Sequence, residues 1–216
     1  MKKIFITKIL PASIITLFFA QMIYVSFFEP TVAIANTATD NVVVTLNVDT
    51  GITISNGADV TMAPNIGISA DGSIGSSNWI VKTNNATGYT LAVKASAAPA
   101  LVSGANSFAD YTETVAGTPE AWSVAGGAKE FGYSAYGTDT ATGTWGAAAS
   151  CGAAGVPSGT QYYVGTKTTD KTIATRNTVT SSSGITTTIC FAAQQNTVYA
   201  PSGSYSATIT ATATTL

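Results

Sequence analysis

Residues 205–214, YSATITATAT, decide the fold class of this chain. Apolar and hydroxyl-bearing side chains alternate without a break, and one side carries Tyr205, Ala207, Ile209, Ala211 and Ala213. A period of two is that of a half-buried β-strand, and β-branched Thr suits its exposed face. Because most of the apolar row is Ala, we expect bulkier side chains from a facing sheet to cover it.

Other stretches that alternate in this way, or that are rich in β-branched and aromatic residues, predict further strands. They lie at residues 42–48, 52–54, 60–62, 79–83, 89–95, 121–124, 131–136, 162–164, 172–175 and 185–193. Long stretches with helical periodicity are too few for an α-helical core. We therefore predict an all-β fold. It is a single antiparallel β-sandwich over residues 36–216, with a loop-rich, exposed region around residues 99–160, preceded by an N-terminal helix.

Two pairs of these strands are separated by residues typical of hairpin turns. Asn56-Gly57 stands between strands 52–54 and 60–62, and the loop 84–88 stands between strands 79–83 and 89–95. We expect the large aromatic side chains of the second pair to supply bulk to the core. Substitution of Trp79 by Ala is then expected to cost roughly 3–5 kcal/mol of stability.

Residues 1–35 have the pattern of an export signal. Three Lys within the first eight residues precede a long apolar run, and AIA at residues 33–35 offers a small-x-small cleavage site. If the segment is not cleaved, the apolar residues 9–28 are long enough to anchor the chain in a membrane. Both alternatives, a signal peptide and an N-terminal anchor, place the remainder of the chain outside the cell.

Charged residues are scarce, at 9% of the chain compared with roughly 25% in ordinary soluble domains. Of 9 basic and 11 acidic residues, three Lys and one Glu lie in residues 1–35, which leaves 6 basic and 10 acidic residues and a net charge of −4 after cleavage. A weakly acidic chain without a basic stripe does not suit phosphate backbones. We therefore predict no nucleic-acid partner.

The chain contains two cysteines, Cys151 and Cys190, and no histidine. Two cysteines in an exported protein have one pairing available, so we predict a structural disulfide between them. It is expected to contribute about 3–4 kcal/mol by constraining the unfolded chain. Without His, neither a Cys–His nor a Ser–His–Asp arrangement can form, and His-ligated zinc is excluded.

Carboxylates are the remaining candidates for acid–base chemistry or metal binding. Asp110 and Glu113 lie close in sequence, as do Glu120 and Glu130 more loosely, and glycosidases use a pair of carboxylates. Asp71 and Asp139 could equally help to hold calcium in loops, but the sequence has no alternating run of acidic ligands. We predict ordinary turn and surface roles for these residues, no catalytic residue, no metal and no cofactor.

Three tryptophans raise the question of a sugar-binding platform, because flat aromatic faces stack on sugar rings. Trp79 and Trp122 lie in predicted strands, and we expect them in the core. Trp145 stands in the loop-like sequence GTWG. We predict that Trp145 is exposed and is the residue available for contact with a glycan.

Tyr205, Ile209 and Thr210 follow the spacing Y-x-x-x-[LIV]-T, and Ala211 and Ala213 come next. This ending resembles that of the WxL-type domains of Gram-positive cell surfaces, which have Trp and Leu where this chain has the two Ala. The earlier W-x-L motif of those domains has looser counterparts at residues 79–81 and 122–124. The resemblance implies a secreted β-sandwich that is held non-covalently on peptidoglycan.

These features favour a non-enzymatic structural or adhesive protein, secreted or on the cell surface, of a bacterial envelope. The chain combines an export segment with the lack of a nucleophile–base set, and strand edges pair easily with other chains. The expected partners are copies of the chain, other envelope proteins or cell-wall polymer, with membrane contact only through residues 9–28 if they are uncleaved. The alternative is a polysaccharide- or peptidoglycan-binding module.

Overall fold

The computed structural model of the chain describes residues 37–55 and 57–216. The predicted signal or anchor at residues 1–35, with its apolar run, and the turn residue Asn56 lie outside the described residues. The chain divides into two units, Met1–Asn47 and Val48–Leu216, and the second contains the strands described below. None of the helices among the described residues has the length and hydrophobicity needed to cross a membrane.

Strands dominate the described residues, and the one helix, α1, is a single turn at Thr142–Trp145. The strands that precede it are β1 (Ile52–Ile54), β2 (Gly72–Thr83), β3 (Tyr89–Ala95), β4 (Val102–Ser103), β5 (Asn106–Ser107), β6 (Ala109–Asp110), β7 (Glu120–Ala121) and β8 (Lys129–Gly137). Those that follow it are β9 (Gly152–Ala153), β10 (Val156–Pro157), β11 (Tyr162–Gly165), β12 (Lys171–Arg176), β13 (Ile185–Gln195) and β14 (Ile209–Thr215).

Most of these strands belong to two sheets. The large sheet has the order β1-β2-β13-β8-β11-β7, with β6 beside β8, and every pair in it is antiparallel except β6 with β8. The small sheet is antiparallel and has the order β12-β3-β14. The strand pairs β4–β5 and β9–β10 stand apart. The prediction of an all-β chain with antiparallel sheets is thus confirmed.

The alternation of side chains in β13 shows how the core is arranged. Ile189 and Phe191 belong to the main core cluster, which also contains apolar residues of the small sheet. Cys190 and Ala192, on the opposite face, belong to a second cluster with two buried tyrosines. Because both faces are covered, the middle of β13 is buried throughout.

The last strand has the predicted alternation. Ile209 and Ala211 of β14 are half-buried against the main cluster, and the intervening threonines are exposed. The expected bulk comes from elsewhere in that cluster, which includes Trp79 of β2 and Leu91 of β3, both buried. Small side chains in β14 are therefore compensated by large ones in its surroundings.

Two strand predictions in the first part of the chain are wrong. Residues 42–48 have no secondary structure and are exposed, because they are paired with no described strand. Residues 60–62 form no strand either, and β1 pairs with the end of β2, with Ile52 opposite Thr83. Alternation favours an extended conformation locally, but an extended segment becomes a strand only when it pairs with another. The local sequence does not predict which segment that is.

The predicted hairpin of residues 79–95 is corrected in its pairing. Both strands form, but β2 belongs to the large sheet and β3 to the small one, so the loop 84–88 connects the two sheets. Gly88, with φ +85°, is required in this loop, because a Cβ there would overlap the carbonyl oxygen of Arg176. A loop of this length permits either a hairpin or a connection between sheets, and long-range packing decides.

The region around residues 99–160 is rich in loops, and most of its strands contain two residues. It also contains β8, which lies between β13 and β11 in the large sheet and is almost entirely buried. The prediction that this region is exposed is wrong for β8. Its pairing with the eleven-residue β13 places it in the interior.

Candidate functional site

The predicted disulfide is confirmed. Cys151 and Cys190 are bonded, with their Cα atoms 5.3 Å apart and a sequence separation of 39. Cys190 of β13 is fully buried, and the Tyr163 hydroxyl donates to the carbonyl oxygen of Cys151 at 3.2 Å. No described cysteine is free. The disulfide therefore fastens the loop before β9 onto the large sheet and indicates that the chain folds in an oxidising environment.

Asp110 and Glu113 stabilise loops through hydrogen bonds from backbone groups. Asp110 Oδ1 accepts from the Ala100 backbone N–H at 3.0 Å and from the Thr166 hydroxyl. Glu113 is buried and accepts from the backbone N–H groups of Gly165, at 2.6 Å, and Gly117, at 3.1 Å. These bonds engage Oδ1 of Asp110 and both carboxylate oxygens of Glu113, as expected for groups that satisfy backbone donors in loops.

The two other carboxylates singled out from the sequence have similar surroundings. Glu120 Oε1 accepts from the Thr114 backbone N–H at 3.0 Å and from the Tyr111 hydroxyl at 3.3 Å. Burial raises the pKa of Glu130, and the charge of Glu113 adds to this effect. The described residues contain no group of three or more His, Cys, Asp or Glu that could hold a metal ion.

Asp139 forms a buried ion pair at the edge of the small sheet. Its Oδ1 lies 3.1 Å from Nη1 of Arg176 in β12, and its side chain is only 6% exposed. The hydroxyl of Tyr89, in β3, donates to Oδ2 at 2.8 Å. Burial of the Tyr89 hydroxyl raises its pKa above the ordinary value. The hydrogen bond to Asp139 and the negative charge of that residue raise it further. The group ties two strands of the small sheet to the end of β8.

The prediction that Trp145 is exposed is wrong. Its side chain is 2% exposed and lies beside Tyr133 of β8, with ring centroids 5.8 Å apart. The Lys171 ammonium of β12 lies 6.0 Å from the centre of the Trp145 ring. The ring faces that would stack on a sugar are therefore covered. The glycine-flanked sequence concealed this because burial results from packing against distant strands.

The other two tryptophans differ in their exposure. Trp79 is buried in the main cluster, as expected. Trp122 is half-buried and stacks on Tyr111 with ring centroids 4.5 Å apart, and its indole N–H donates to Gln194 Oε1 at 2.6 Å. Trp122 is thus part of the cover over the second cluster, and its indole nitrogen has a partner there.

A long groove lies beside β14, with a volume of about 1190 Å³. Its floor carries large apolar side chains, including Trp79, Phe131 and Phe191. One wall is the segment that follows β1, from Gly57 to Ile66, and the other wall is formed by the consecutive residues 200–211. Because the side chains of a strand alternate between faces, a wall of consecutive residues means that the groove follows the backbone edge of residues 200–208 and of the first three residues of β14.

The edge of β14 that faces the groove has no strand partner. Among the described strands, β14 pairs with β3 and lies at the end of the small sheet. Every second backbone N–H and C=O group of such an edge points away from its own sheet and is available to another strand. We call β14, residues 200–208 and the groove beside them, taken together, the open edge.

The open edge was not predicted from the sequence. Its signal is the small size of Ala207, Ala211 and Ala213 in a half-buried apolar row, which indicates a strand that leaves room beside it. That row predicted bulkier side chains from a facing sheet, and the main core cluster against which it packs contains buried residues of both sheets. The space left between them depends on the position of residues 57–66, which no local pattern specifies.

No protein-family model matches the chain, and no curated protein and no solved structure is similar to it. The resemblance of residues 205–210 to WxL-type domains therefore stays a prediction. The observations that bear on function are the disulfide, the carboxylates that bond to backbone groups, and the open edge.

Proposed function

We propose that this chain is a non-enzymatic structural or adhesive protein of a bacterial envelope, secreted or held at the cell surface. Its two sheets form one antiparallel β-sandwich, in which the small sheet covers part of one face of the large sheet. Its function is to bind copies of itself or other components of the envelope. The open edge is the surface through which it does so.

The export part of this proposal is supported by sequence and structure together. The first 35 residues have the basic and apolar pattern of a signal or anchor. The Cys151–Cys190 disulfide suits an environment outside the reducing cytosol. Sparse charge and the row of exposed threonines on β14 give a surface covered with hydroxyl groups.

The non-enzymatic part is supported by the use of the acidic side chains. Asp110, Glu113 and Glu120 accept hydrogen bonds from backbone groups of their own chain, and Asp139 pairs with Arg176. A carboxylate used as a general acid or base must instead be within hydrogen-bond reach of a substrate. These four groups support loops and strand ends.

The open edge is the observation that carries the assembly part. A groove of this volume, with large aromatic side chains among its lining residues, suits an interaction site, and a strand edge that no described strand pairs with offers backbone hydrogen bonds beside it. Natural proteins usually block such edges with charge, Pro or a covering segment. β14 contains no charged residue and no Pro.

Light scattering after size-exclusion chromatography of the full chain tests this function. We expect assemblies whose mass rises with protein concentration. Thr210→Lys places a charge on β14 and is expected to reduce assembly, whereas Thr172→Lys, at an exposed position of the other edge strand β12, is the matched control. A monomer at every concentration would remove the self-association from the proposal.

Binding to polysaccharide, including peptidoglycan, is the second candidate. It is favoured by Tyr199, which is 62% exposed and immediately precedes the wall of the groove, and by the Ser residues in that wall. An exposed aromatic ring beside hydroxyl groups suits a sugar. Co-sedimentation with insoluble peptidoglycan should then weaken in Tyr199→Ala and stay unchanged in Tyr162→Ala, a control at a distant exposed tyrosine of β11. Equal sedimentation of both variants and the unaltered chain would count against a sugar site here.

A further inference from the structure

We propose that residues 42–48 of a second copy of this chain bind as an added strand along β14 and fill the groove. The inference rests on the proposed function, because it names the partner and the contact through which the copies associate. Addition of a strand to an exposed edge is a common mode of peptide recognition. Two features of the chain, segment 42–48 and the open edge, fit each other in this mode.

Segment 42–48 is apolar, extended and uncovered. Val42, Val44, Leu46 and Val48 alternate with Val43, Thr45 and Asn47, so that one face is entirely aliphatic. The four side chains of that face are 82, 87, 84 and 75% exposed. A run of exposed aliphatic side chains with strand periodicity is unusual in a folded protein unless it binds something.

The open edge has the complementary shape. The small side chains of Ala207 and Ala211 in its wall leave space above an aromatic floor, and Val and Leu side chains from a neighbouring strand would occupy that space. Seven residues in a strand span about 23 Å, and residues 205–211, all of which line the groove, have an apolar row of the same number and period. The added strand would extend the small sheet from three strands to four.

The charges are compatible with this contact. Segment 42–48 contains no charged residue. Asp59 is the one charged residue among the described residues that line the groove. Burial of the segment therefore removes no ion from water, which would otherwise oppose the hydrophobic gain.

A second copy is the occupant because every chain carries both halves of the contact, and the described residues of one chain cover neither of them. The aliphatic face of segment 42–48 is exposed, and the edge of β14 is unpaired. A segment on one copy that binds a groove on the next makes a head-to-tail interface. Such interfaces close into rings or continue as open filaments, according to the rotation between copies.

The test compares two double variants of the full-length chain, produced in an exporting bacterial host. Val44→Asp with Leu46→Asp places two charges on the aliphatic face, and Thr45→Asp with Asn47→Asp places the same two charges on the opposite face. We expect the concentration at which half of the protein assembles to rise at least roughly tenfold in the first variant and much less in the second. Because the segment is exposed in the single chain, both variants should unfold at the temperature of the unaltered chain.

A peptide with the sequence of residues 41–49, NVVVTLNVD, probes the groove directly. Labelled peptide added to the Val44→Asp, Leu46→Asp protein should bind saturably, because the groove of this variant is intact and unoccupied. The same peptide with Asp in place of Val44 and Leu46 should bind at least roughly tenfold more weakly. Ala207→Trp in the protein should reduce binding of the first peptide by filling the groove.

The possible outcomes separate this inference from the proposed function. Assembly that is equally strong in both double variants, or a peptide that does not bind, overturns the contact and leaves self-association standing. A protein that is monomeric at every concentration overturns both. A monomer whose segment 42–48 is protected from hydrogen exchange has inserted the segment into its own groove, which also overturns the contact between copies.

Discussion

The two edges of the small sheet differ sharply. The closed edge is defined here as β12 with Trp145, Asp139 and their contacts. The Thr175 backbone N–H of β12 donates to the Asp139 carbonyl oxygen at 3.0 Å, Arg176 pairs with the Asp139 side chain, and the Lys171 ammonium lies 6.0 Å from the centre of the Trp145 ring. Lys171 of the same strand donates to the Gly117 carbonyl oxygen at 2.7 Å. The open edge has the groove and no strand partner. One sheet thus has an edge that stabilises the fold and an edge that remains available for binding.

The two edge strands of the small sheet, β12 and β14, have different surroundings although the chain has few charged residues overall. At the closed edge, a large ring and a buried ion pair fill the space beside the sheet. At the open edge, Ile209 is followed in the apolar row by Ala211 and Ala213, and a groove remains among the described residues beside it. Substitutions at the closed edge should therefore change stability, and substitutions at the open edge should mainly change association.

The largest effect is expected at the closed edge. Trp145→Ala should lower the free energy of unfolding by about 3–5 kcal/mol, because the indole is almost fully buried against Tyr133. Urea denaturation of the full chain measures this value. Val156→Ala, at a residue that is 67% exposed, is the control and should stay within about 0.5 kcal/mol. A Trp145→Ala variant as stable as the unaltered chain would contradict the burial of the Trp145 side chain at the closed edge.

Loss of the disulfide should have a slightly smaller effect. Cys151→Ala with Cys190→Ala should lower stability by about 3–4 kcal/mol, because the unfolded chain loses the constraint of a loop closed across 39 residues. The bond joins residues of the second cluster, on the face of β13 away from the small sheet. The variant should therefore still assemble at a temperature at which it is folded. Loss of assembly in the folded variant would contradict the separation of the open edge from the disulfide.

How much of this arrangement the sequence predicts depends on the range of the interactions. Strict alternation in β3 and β14 predicts these strands and their buried faces, because period two is a local property. The pairing of β8 with β13 joins residues that are far apart in sequence. No local sequence pattern predicts that β13 is the partner of β8. The burial of Trp145 comes from its packing against Tyr133 of β8 and its contact with Lys171 of β12, which the sequence around Trp145 does not indicate. Segment 42–48 has the pattern of a strand without a partner in the single chain.

A matched pair of isoleucines compares the two edges directly. Ile173 of β12 is 1% exposed, whereas Ile209 of β14 is half-buried. Ile173→Ala should cost about 2–5 kcal/mol, and Ile209→Ala about 1 kcal/mol, in the monomer. Thermal or urea unfolding at low protein concentration measures both. Equal costs would mean that the open edge is packed as tightly as the closed edge.

A pH effect near the closed edge should be the smallest. Burial, with a further contribution from the charge of Glu113, raises the pKa of Tyr133 above its ordinary value, so the native state holds the phenolic proton more tightly than the unfolded state. The resulting stability is complete below about pH 10 and is lost as the pH rises further, by about 1 kcal/mol at pH 11.

Tyr133→Phe removes this titrating group. Between pH 9 and pH 11, the free energy of unfolding of this variant should therefore fall by about 1 kcal/mol less than that of the unaltered chain. Urea denaturation at the two pH values measures the difference. Tyr162→Phe, at an exposed residue, is the control. Parallel losses in all three proteins would show that Tyr133 is not buried as described.

Hydrogen exchange of the monomer and of the assembled protein tests the availability of the open edge most directly. We predict that amides of β14 and of segment 42–48 become protected on assembly, while amides in the middle of β13 exchange slowly in both forms, because those residues are already buried. Assembled protein in which the amides of β14 exchange as in the monomer would contradict the account.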